Sequence, residues 1–414
     1  MSEGLCALSG ASAKLYRRAA TMSERVYLDW NATTPLRPEA RTAMAAAFDC
    51  MGNPSSVHAE GRAARMIVEQ ARERVALLVG ARPADVIFTS GGSEANALAL
   101  TPSLMVSSDD APRTHLLVSA IEHPSVRAGG RFEPAAVKEV PVTPAGVVDL
   151  DALEEQLAAL GKSGAARVLV ALMHANNETG IVQPVAAAAD IVHAAGGLLH
   201  VDAVQSAGKI VCNVHALGAH TLAISAHKMG GPKGVGALVK ASDAVHIADP
   251  LIKGGGQERG YRGGTENVIG IAGFGAAAAA ARAGMMSAAA RMTKLRDRLE
   301  TALLVACPNA VIIGAGMERL PNTTLFAVPG VKAESAVIAL DLAGVAVSSG
   351  AACSSGKVGG SKVLVAMDVP EALAAAAIRV SVGPISADRD IDVFINAWRN
   401  VVAGLSKGRR GVAA

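Results

Sequence analysis

From Asp85 onward, short apolar runs alternate with longer stretches rich in Ala, Leu and Glu. The runs are Val86–Phe88, Leu116–Val118, Val168–Leu172, Leu198–Val201, Leu222–Ile224 and Val235–Val239, bounded by Gly, Pro, Asn or Ser. Runs of this length predict buried strands, and segments between them such as Leu150–Leu160 predict helices. Strands separated by helices require crossover connections, so the pattern predicts an α/β chain with a mainly parallel sheet. The rhythm fades after the alanine-rich segment 276–283. Beyond it, the charged stretch Met292–Leu304 predicts a separate helix, Thr323–Val328 a strand, and 348–360 a Gly/Ser-rich loop. A second, smaller α+β domain is expected there. The expected division is a large domain over 37–284, a small one from 25–36 with 285–406, an N-terminal extension over 1–24 and a solvated tail over 407–414.

A chain of 414 residues can bury most of its unfolded surface without a disulfide or metal staple. Its 39 basic and 36 acidic residues leave a formal charge of +3, too balanced for an electrostatic nucleic-acid footprint, and 3% aromatics leave little for base stacking. The uncharged stretch Val268–Ala281 falls short of the roughly 18 residues needed to cross a bilayer. Neither nucleic acid nor membrane is therefore expected as a partner. The five cysteines (Cys6, Cys50, Cys212, Cys307 and Cys353) form no CxxC pair, which argues against a zinc ribbon or disulfide framework and for a reducing, cytoplasmic setting. Lys14, Arg17 and Arg18 lie amid Ser and Ala, but Glu3, Glu24 and the lack of an apolar core favour a plain extension over a targeting peptide.

In an open parallel sheet, ligands bind beyond the carboxyl ends of the strands. Five successive strand runs here lead into polar groups. Val86–Phe88 leads into Gly91-Gly92-Ser93 at a predicted helix start, where free N–H groups and the helix dipole favour an anion. The next runs lead into Glu122-His123, His174 to Gly180 with Asn177, Asp202 with Gln205, and Ser225-Ala226-His227-Lys228. Singly, each is more simply a cap or a satisfied polar residue. Together they describe a concave site with an anion cradle, an imidazole, an amide, a carboxylate and a lysine. A carboxylate with a lysine suits pyridoxal 5′-phosphate (PLP), whose aldehyde takes the lysine and whose ring nitrogen takes the carboxylate.

Asn31-Ala32-Thr33-Thr34-Pro35, Gly52 to His58, the 89–96 run, His200 to Ser206, Ser225 to Lys228 and Ser348 to Ser355 closely resemble the cysteine desulfurases of the NifS/IscS type. These are class V aminotransferase-group enzymes of PLP fold type I, and the similarity spans about Tyr27 to Gly383. The resemblance implies a large domain with a mainly parallel seven-stranded sheet and a smaller α+β domain. It implies conversion of L-cysteine to L-alanine by aldimine and ketimine chemistry on PLP, with sulfur leaving as a persulfide on Cys353. Lys228 would carry the Schiff base and serve as proton-transfer base, and His123 would stack on the ring. Asp202 would hold the pyridine nitrogen, with Gln205 and Asn177 on the phenolate oxygen. Gly92, Ser93, Ser225 and His227 would hold the phosphate, joined by Thr265 across a homodimer interface. Arg379 and Asn31 would bind the substrate.

The resemblance also implies a sulfur-acceptor protein such as an iron–sulfur scaffold, in housekeeping or nitrogen-fixation roles. No intrinsic metal site is expected, with Cys353 only a transient iron–sulfur ligand on a scaffold. Two positions depart from the family pattern: Ala351 where Ser is common, and Met229-Gly230 where a bulky residue often follows the lysine. The alternative within the class is selenocysteine lyase or another PLP-dependent lyase or aminotransferase. Ser225 to Lys228 read as an S-x-x-K acyl-enzyme lacks its companion motifs, and Gly350 to Val358 misses a Walker A in spacing and in its final hydroxyl.

Overall fold

The computed structural model describes residues 25–410 apart from 107–110, 163, 165 and 351–359, with backbone alone over 405–410. Seven strands form the main sheet: β1 (Val86–Thr89), β2 (His115–Ser119), β3 (Val137–Val140), β4 (Val168–Met173), β5 (Leu198–Asp202), β6 (Thr221–Ser225) and β7 (Gly236–Lys240). Their spatial order is β1-β7-β6-β5-β4-β2-β3, parallel throughout except for β7, which is antiparallel to both neighbours. Both faces are covered. Phe88, Leu117, Val170, Leu199 and Leu222 pack into one core, while Ile87, Leu116, Val118, Leu169 and Ala223 pack into another on the opposite face. Two-sided burial explains why these strands read as continuous apolar runs and not as alternating ones. The exception, β3, has the sequence Val-Lys-Glu-Val with both charged residues exposed at the sheet edge, and so forms no apolar run.

The helices that shape the site are α1 (Pro38–Phe48), α2 (Ala59–Val79), α3 (Gly92–Ala99) and α4 (Val268–Ala306). The last corrects the expectation of a separate helix over Met292–Leu304, because α4 runs unbroken for 39 residues. Arg282 and Gly284 are too weak to stop a helix whose neighbours are mostly Ala and Met. At 1.5 Å per residue it spans about 58 Å. An 18-residue window of it is apolar enough to cross a membrane, longer than the 14-residue stretch counted from the sequence, but 56% of that window is buried inside the fold. Phe274, Ala277 and Ala278 lie in the core of the large sheet, and Met292, Leu295, Leu299 and Leu303 lie in the next.

That second core covers one face of a four-stranded antiparallel sheet, β8 (Val311–Ile313), β9 (Thr323–Ala327), β10 (Ser348–Ser349) and β11 (Ala377–Ser381), in the order β8-β9-β11-β10. Phe326 meets Trp398 edge-on at 5.1 Å between ring centroids. Trp398 lies on α5 (Asp388–Arg410), which continues past the expected tail boundary at 407. Its end lacks proline, and Lys and Arg suit a helix C-terminus. Leu325 and Ala327 of β9 turn toward Ile121, Met173 and Ile181, forming an apolar seam between the two sheets.

One loop carries backbone strain. Glu258 and Arg259 have φ of 46° and 56°, a left-handed conformation that costs non-glycine residues about 1–2 kcal/mol each. A buried ion pair holds them. Arg72 of α2 meets Glu258 through Nη1–Oε2 at 2.7 Å and Nη2–Oε1 at 2.8 Å, and Glu258 Oε2 also accepts the Phe88 N–H at 2.8 Å. Glu258→Ala leaves Arg72 with only the half-exposed Glu69 and the Val86 carbonyl, leaves the Phe88 N–H without its acceptor, and should lower unfolding free energy by about 3 kcal/mol. Arg298→Ala, which removes exposed pairs to Asp388 and Asp392, should cost under about 1 kcal/mol. Urea midpoints compare the two variants, and equal midpoints would show that the buried pair does not hold the loop.

Candidate active site

The carboxyl ends of β4, β5 and β6 meet the N-terminus of α3 around a cavity of about 340 Å³. Lys228, Asp202, His123, Arg379, Asn31, Gln205, Asn177, Ser93, Gly92, Ser225 and His227 all line it. Thr265 does not. It lies with Ser90, Gly234 and Arg262 around a separate hollow of about 220 Å³. Cys353 lies outside the described residues.

Asp202 ends β5, opposite Met173 of β4 in the parallel register. Its Oδ1 accepts the Val204 N–H at 2.9 Å and its Oδ2 accepts Asn96 Nδ2 at 2.8 Å. Asn96 is held from behind by His200, whose Nε2 contacts Asn96 Oδ1 at 3.0 Å and whose Nδ1 contacts Thr221 Oγ1 at 2.9 Å. Complete burial pushes the His200 imidazole down to about 3, so the ring is neutral and donates at only one of these contacts. Asn96 and His200 lie inside motifs that carry the resemblance but have no role assigned there; Asn96 Nδ2 also donates to Ser125 Oγ at 2.9 Å, and these polar atoms meet only after α3 packs onto the sheet.

His123 caps the helical turn Pro124–Arg127, its Nδ1 accepting the Ser125 N–H at 3.2 Å. The hydrogen of the neutral ring therefore sits on Nε2. Burial lowers the proton affinity of His123, and Lys228 lowers it further against the opposing charge of Asp202. Burial, with Lys228 second, pushes His227 down to about 4. Beside His123, Glu122 is fully enclosed, and burial followed by Asp202 raises its pKa well above the ordinary carboxyl range. Its Oε2 has no hydrogen-bond partner among the described residues. Burial thus works against charge on the imidazoles and on Glu122, and the Asp202 carboxyl is the acidic group that shares the cavity with the lysine.

Lys228 follows β6 in a single 3₁₀ turn and donates to the backbone oxygens of Asn31 and Ala32. A second lysine, Lys209, is 6% exposed and donates to Asn31 Oδ1 and Gln205 Oε1. Its sequence signal is a lysine inside the otherwise uncharged Ala207-Gly208-Lys209-Ile210. Arg379 enters from β11 of the small sheet, giving Nη2 to Asp29 Oδ1 at 2.7 Å and Nη1 to Asn177 O at 2.9 Å. Its Nε is buried without a partner among the described residues, a donor available to an incoming carboxylate.

At the opposite wall, α3 begins at Gly92, where a Cβ would stand 2.6 Å from Val204 Cγ2 and 3.5 Å from Ser225 Cβ. The helix start can approach Val204, in the turn after β5, this closely only without a side chain. The first N–H groups of α3, with the Ser93 and Ser225 hydroxyls, form an anion cradle. An anion cradle, an amine, a ring-sized space under an imidazole and a carboxylate at the far end are the donor set that PLP requires, and the residues fit that group. Of the remaining thiols, burial pushes Cys212 up to about 12, so it is inert as a nucleophile.

The aminotransferase class-V family model matches residues 26–394. The chain is 44% identical to a cysteine desulfurase of Cereibacter sphaeroides over 92% of this chain and 96% of that one. It is 39% identical to the cysteine desulfurase IscS of Dictyoglomus turgidum over 93% and 96%. Among solved structures it resembles a NifS-like protein from Rickettsia africae, with a TM-score of 0.82 and 36% identity over 92% of this chain and all of that one.

Glu178 yields a pH test. Burial raises its pKa to about 7 against the opposing Ser361 O–H and Arg379. A carboxyl raised in the folded state stabilises the fold below its unfolded pKa, and that contribution is lost as pH rises through about 7. The rise from 4.5 to about 7 corresponds to at most about 3 kcal/mol. Glu178→Gln cannot ionise, so its melting temperature relative to wild type should climb between pH 5 and pH 8. Parallel melting curves across that range would contradict the burial of a titrating carboxyl.

Proposed function

We propose that this chain, which belongs to the aminotransferase class-V family and is a PLP-dependent cysteine desulfurase, takes sulfur from L-cysteine as a persulfide on Cys353 and releases L-alanine. The observation that supports this division of labour is the convergence of Lys228, Asp202, His123 and Arg379 on one cavity. Bound PLP supplies an electron sink for the substrate Cα. Asp202 keeps a proton on the cofactor's ring nitrogen, and Gln205 and Asn177 donate to its phenolate oxygen. Ser93, Ser225, His227 and the Gly92 end of α3 hold the phosphate, and His123 covers the ring. Lys228 attaches the cofactor and, once released, moves protons at the substrate Cα. Arg379 binds the substrate carboxylate with Asn31 beside it, a task suited to guanidinium.

Cys353 follows β10 by four residues, and β10 pairs Ser348 with Arg379 itself. The thiolate attacks the substrate sulfur, so an S–S bond forms as the substrate C–S bond breaks. The electron pair stays with the substrate carbon, which gains a proton and leaves in L-alanine. The outer sulfur then passes to an acceptor thiol such as that of an iron–sulfur scaffold, in a reducing cytoplasm that keeps Cys353 available. A homodimer completes the site. Thr265 stands away from its own chain's cavity, and Phe48, Met51 and Val57 are 69%, 89% and 87% exposed beside the 52–58 loop, an apolar surface suited to a second copy.

Cys353→Ala should lose at least about 100-fold in alanine and sulfide formation with reductant present, while keeping the cofactor's visible band. Full sulfide output from that variant would remove the persulfide role. Lys228→Ala should lose the lysine-bound band, and its retention would move the attachment to another lysine. Mixed dimers of Thr265→Ala and Lys228→Ala chains test the shared site. If Thr265 serves the partner, such a dimer keeps one complete site and wild-type cofactor affinity there; weakened affinity would place Thr265 in its own chain's site.

A further inference from the structure

Two lysines meet at Asn31. Lys228 donates to its backbone oxygen, and Lys209, from the turn after β5, reaches its Oδ1 at 3.1 Å and Gln205 Oε1 at 2.9 Å. Among the described residues no carboxylate lies within ion-pair distance of Lys209, so its recorded partners are amide oxygens alone. An ammonium offers three donors and no acceptor, so the amide atom that faces it must be oxygen. Burial, reinforced by Lys228 and Arg379, lowers the pKa of Lys209 well below the usual lysine value. Only the protonated amine lacks an acceptor, so it is the ammonium that requires oxygen at both contacts.

A carboxamide is nearly symmetric in shape, and only its partners decide which end carries N–H. Lys209 makes that decision twice. With Oε1 taken, Gln205 turns Nε2 to the Asn31 backbone oxygen at 3.0 Å, the same oxygen that receives Lys228. With Oδ1 shared between Lys209 and Asn322 Nδ2, Asn31 turns Nδ2 to Thr323 Oγ1 at 2.9 Å and to Asn177 O at 3.3 Å.

We propose that Lys209 is a positioning residue for the reaction: it locks the Gln205 carboxamide so that N–H, and not C=O, faces the Lys228 end of the cavity. The inference rests on the reading above in which Gln205 donates to the phenolate oxygen of PLP. A carbonyl turned toward that oxygen would repel the charge that an N–H stabilises. A buried lysine without a carboxylate costs stability, and an apolar side chain of similar length would be the better core residue. What Lys209 supplies is orientation.

The experiment titrates the visible absorption band of purified holoenzyme against pH in wild type, Lys209→Met, Lys209→Gln, Gln205→Leu and the Lys209→Met/Gln205→Leu double variant, each checked for folding by circular dichroism. A donor on the phenolate oxygen favours the phenolate and lowers the proton affinity of the neighbouring lysine-bound nitrogen. Lys209→Met should therefore raise the apparent pKa of the band by about one pH unit, the worth of one hydrogen bond to a charged oxygen. Gln205→Leu should do the same, and the double variant should shift no further. Lys209→Gln, which can still donate to Gln205 Oε1, should stay near wild type. A folded Lys209→Met with the wild-type value, or a second full shift in the double variant, would overturn the proposal. Should Lys209→Met not fold, a Lys209→Gln shift as large as that of Gln205→Leu would do so. A wild type whose band does not depend on Lys228 would instead overturn the cofactor reading, and the role of Lys209 with it.

Discussion

Asn31 ties the molecule together. Its N–H reaches Ser381 Oγ at 3.0 Å, its side chain joins Lys209, Asn322, Thr323 and Asn177, and its backbone oxygen accepts Lys228 and Gln205. Ser381 and Thr323 belong to the small sheet, while Gln205 and Lys228 follow strands of the large one. A residue 1% exposed thus has its polar atoms spent on both sheets at once. Buried polar groups cost about 1–3 kcal/mol each when left unmatched, so the two sheets share a narrow range of relative positions. Arg379, on the small sheet, faces the same cavity as Lys228 because of that constraint.

The electrostatics of the cavity follow from burial more than from pairing. His200, His227 and His174 are pushed to about 3, 4 and 4, and Glu122 is raised well above the ordinary carboxyl range, in each case chiefly by desolvation. Removing those charges leaves a carboxylate at one end and lysine and arginine at the other. The field is simple although the residue list is long. A cofactor that needs a proton at its ring nitrogen and an amine at its aldehyde meets each requirement at a separate point.

The helix α4 and the Arg72–Glu258 pair show how distant segments are disciplined. One helix contributes Phe274 to the first core and Leu299 to the second, so the cores are built on a common rod. The ion pair bridges α2 and a loop 186 residues away, and the left-handed Glu258 and Arg259 are held there by contacts that no local propensity supplies.

The sequence by itself determined the strands with two buried faces, because burial on both sides writes an unbroken apolar run. It also determined the residues that follow those strands, since ligands collect at carboxyl ends. It did not reveal β3, half exposed at the sheet edge, or the continuity of α4, whose alanines mark no boundary. Only the tertiary structure decided that Thr265 stands apart from its own cavity, that Asn96 and His200 support Asp202, and that Lys209 lies beside Lys228. Those facts depend on side chains brought together across as many as a hundred residues or more, and on charge removed by burial. Hydrophobic period and local motif carry neither kind of information.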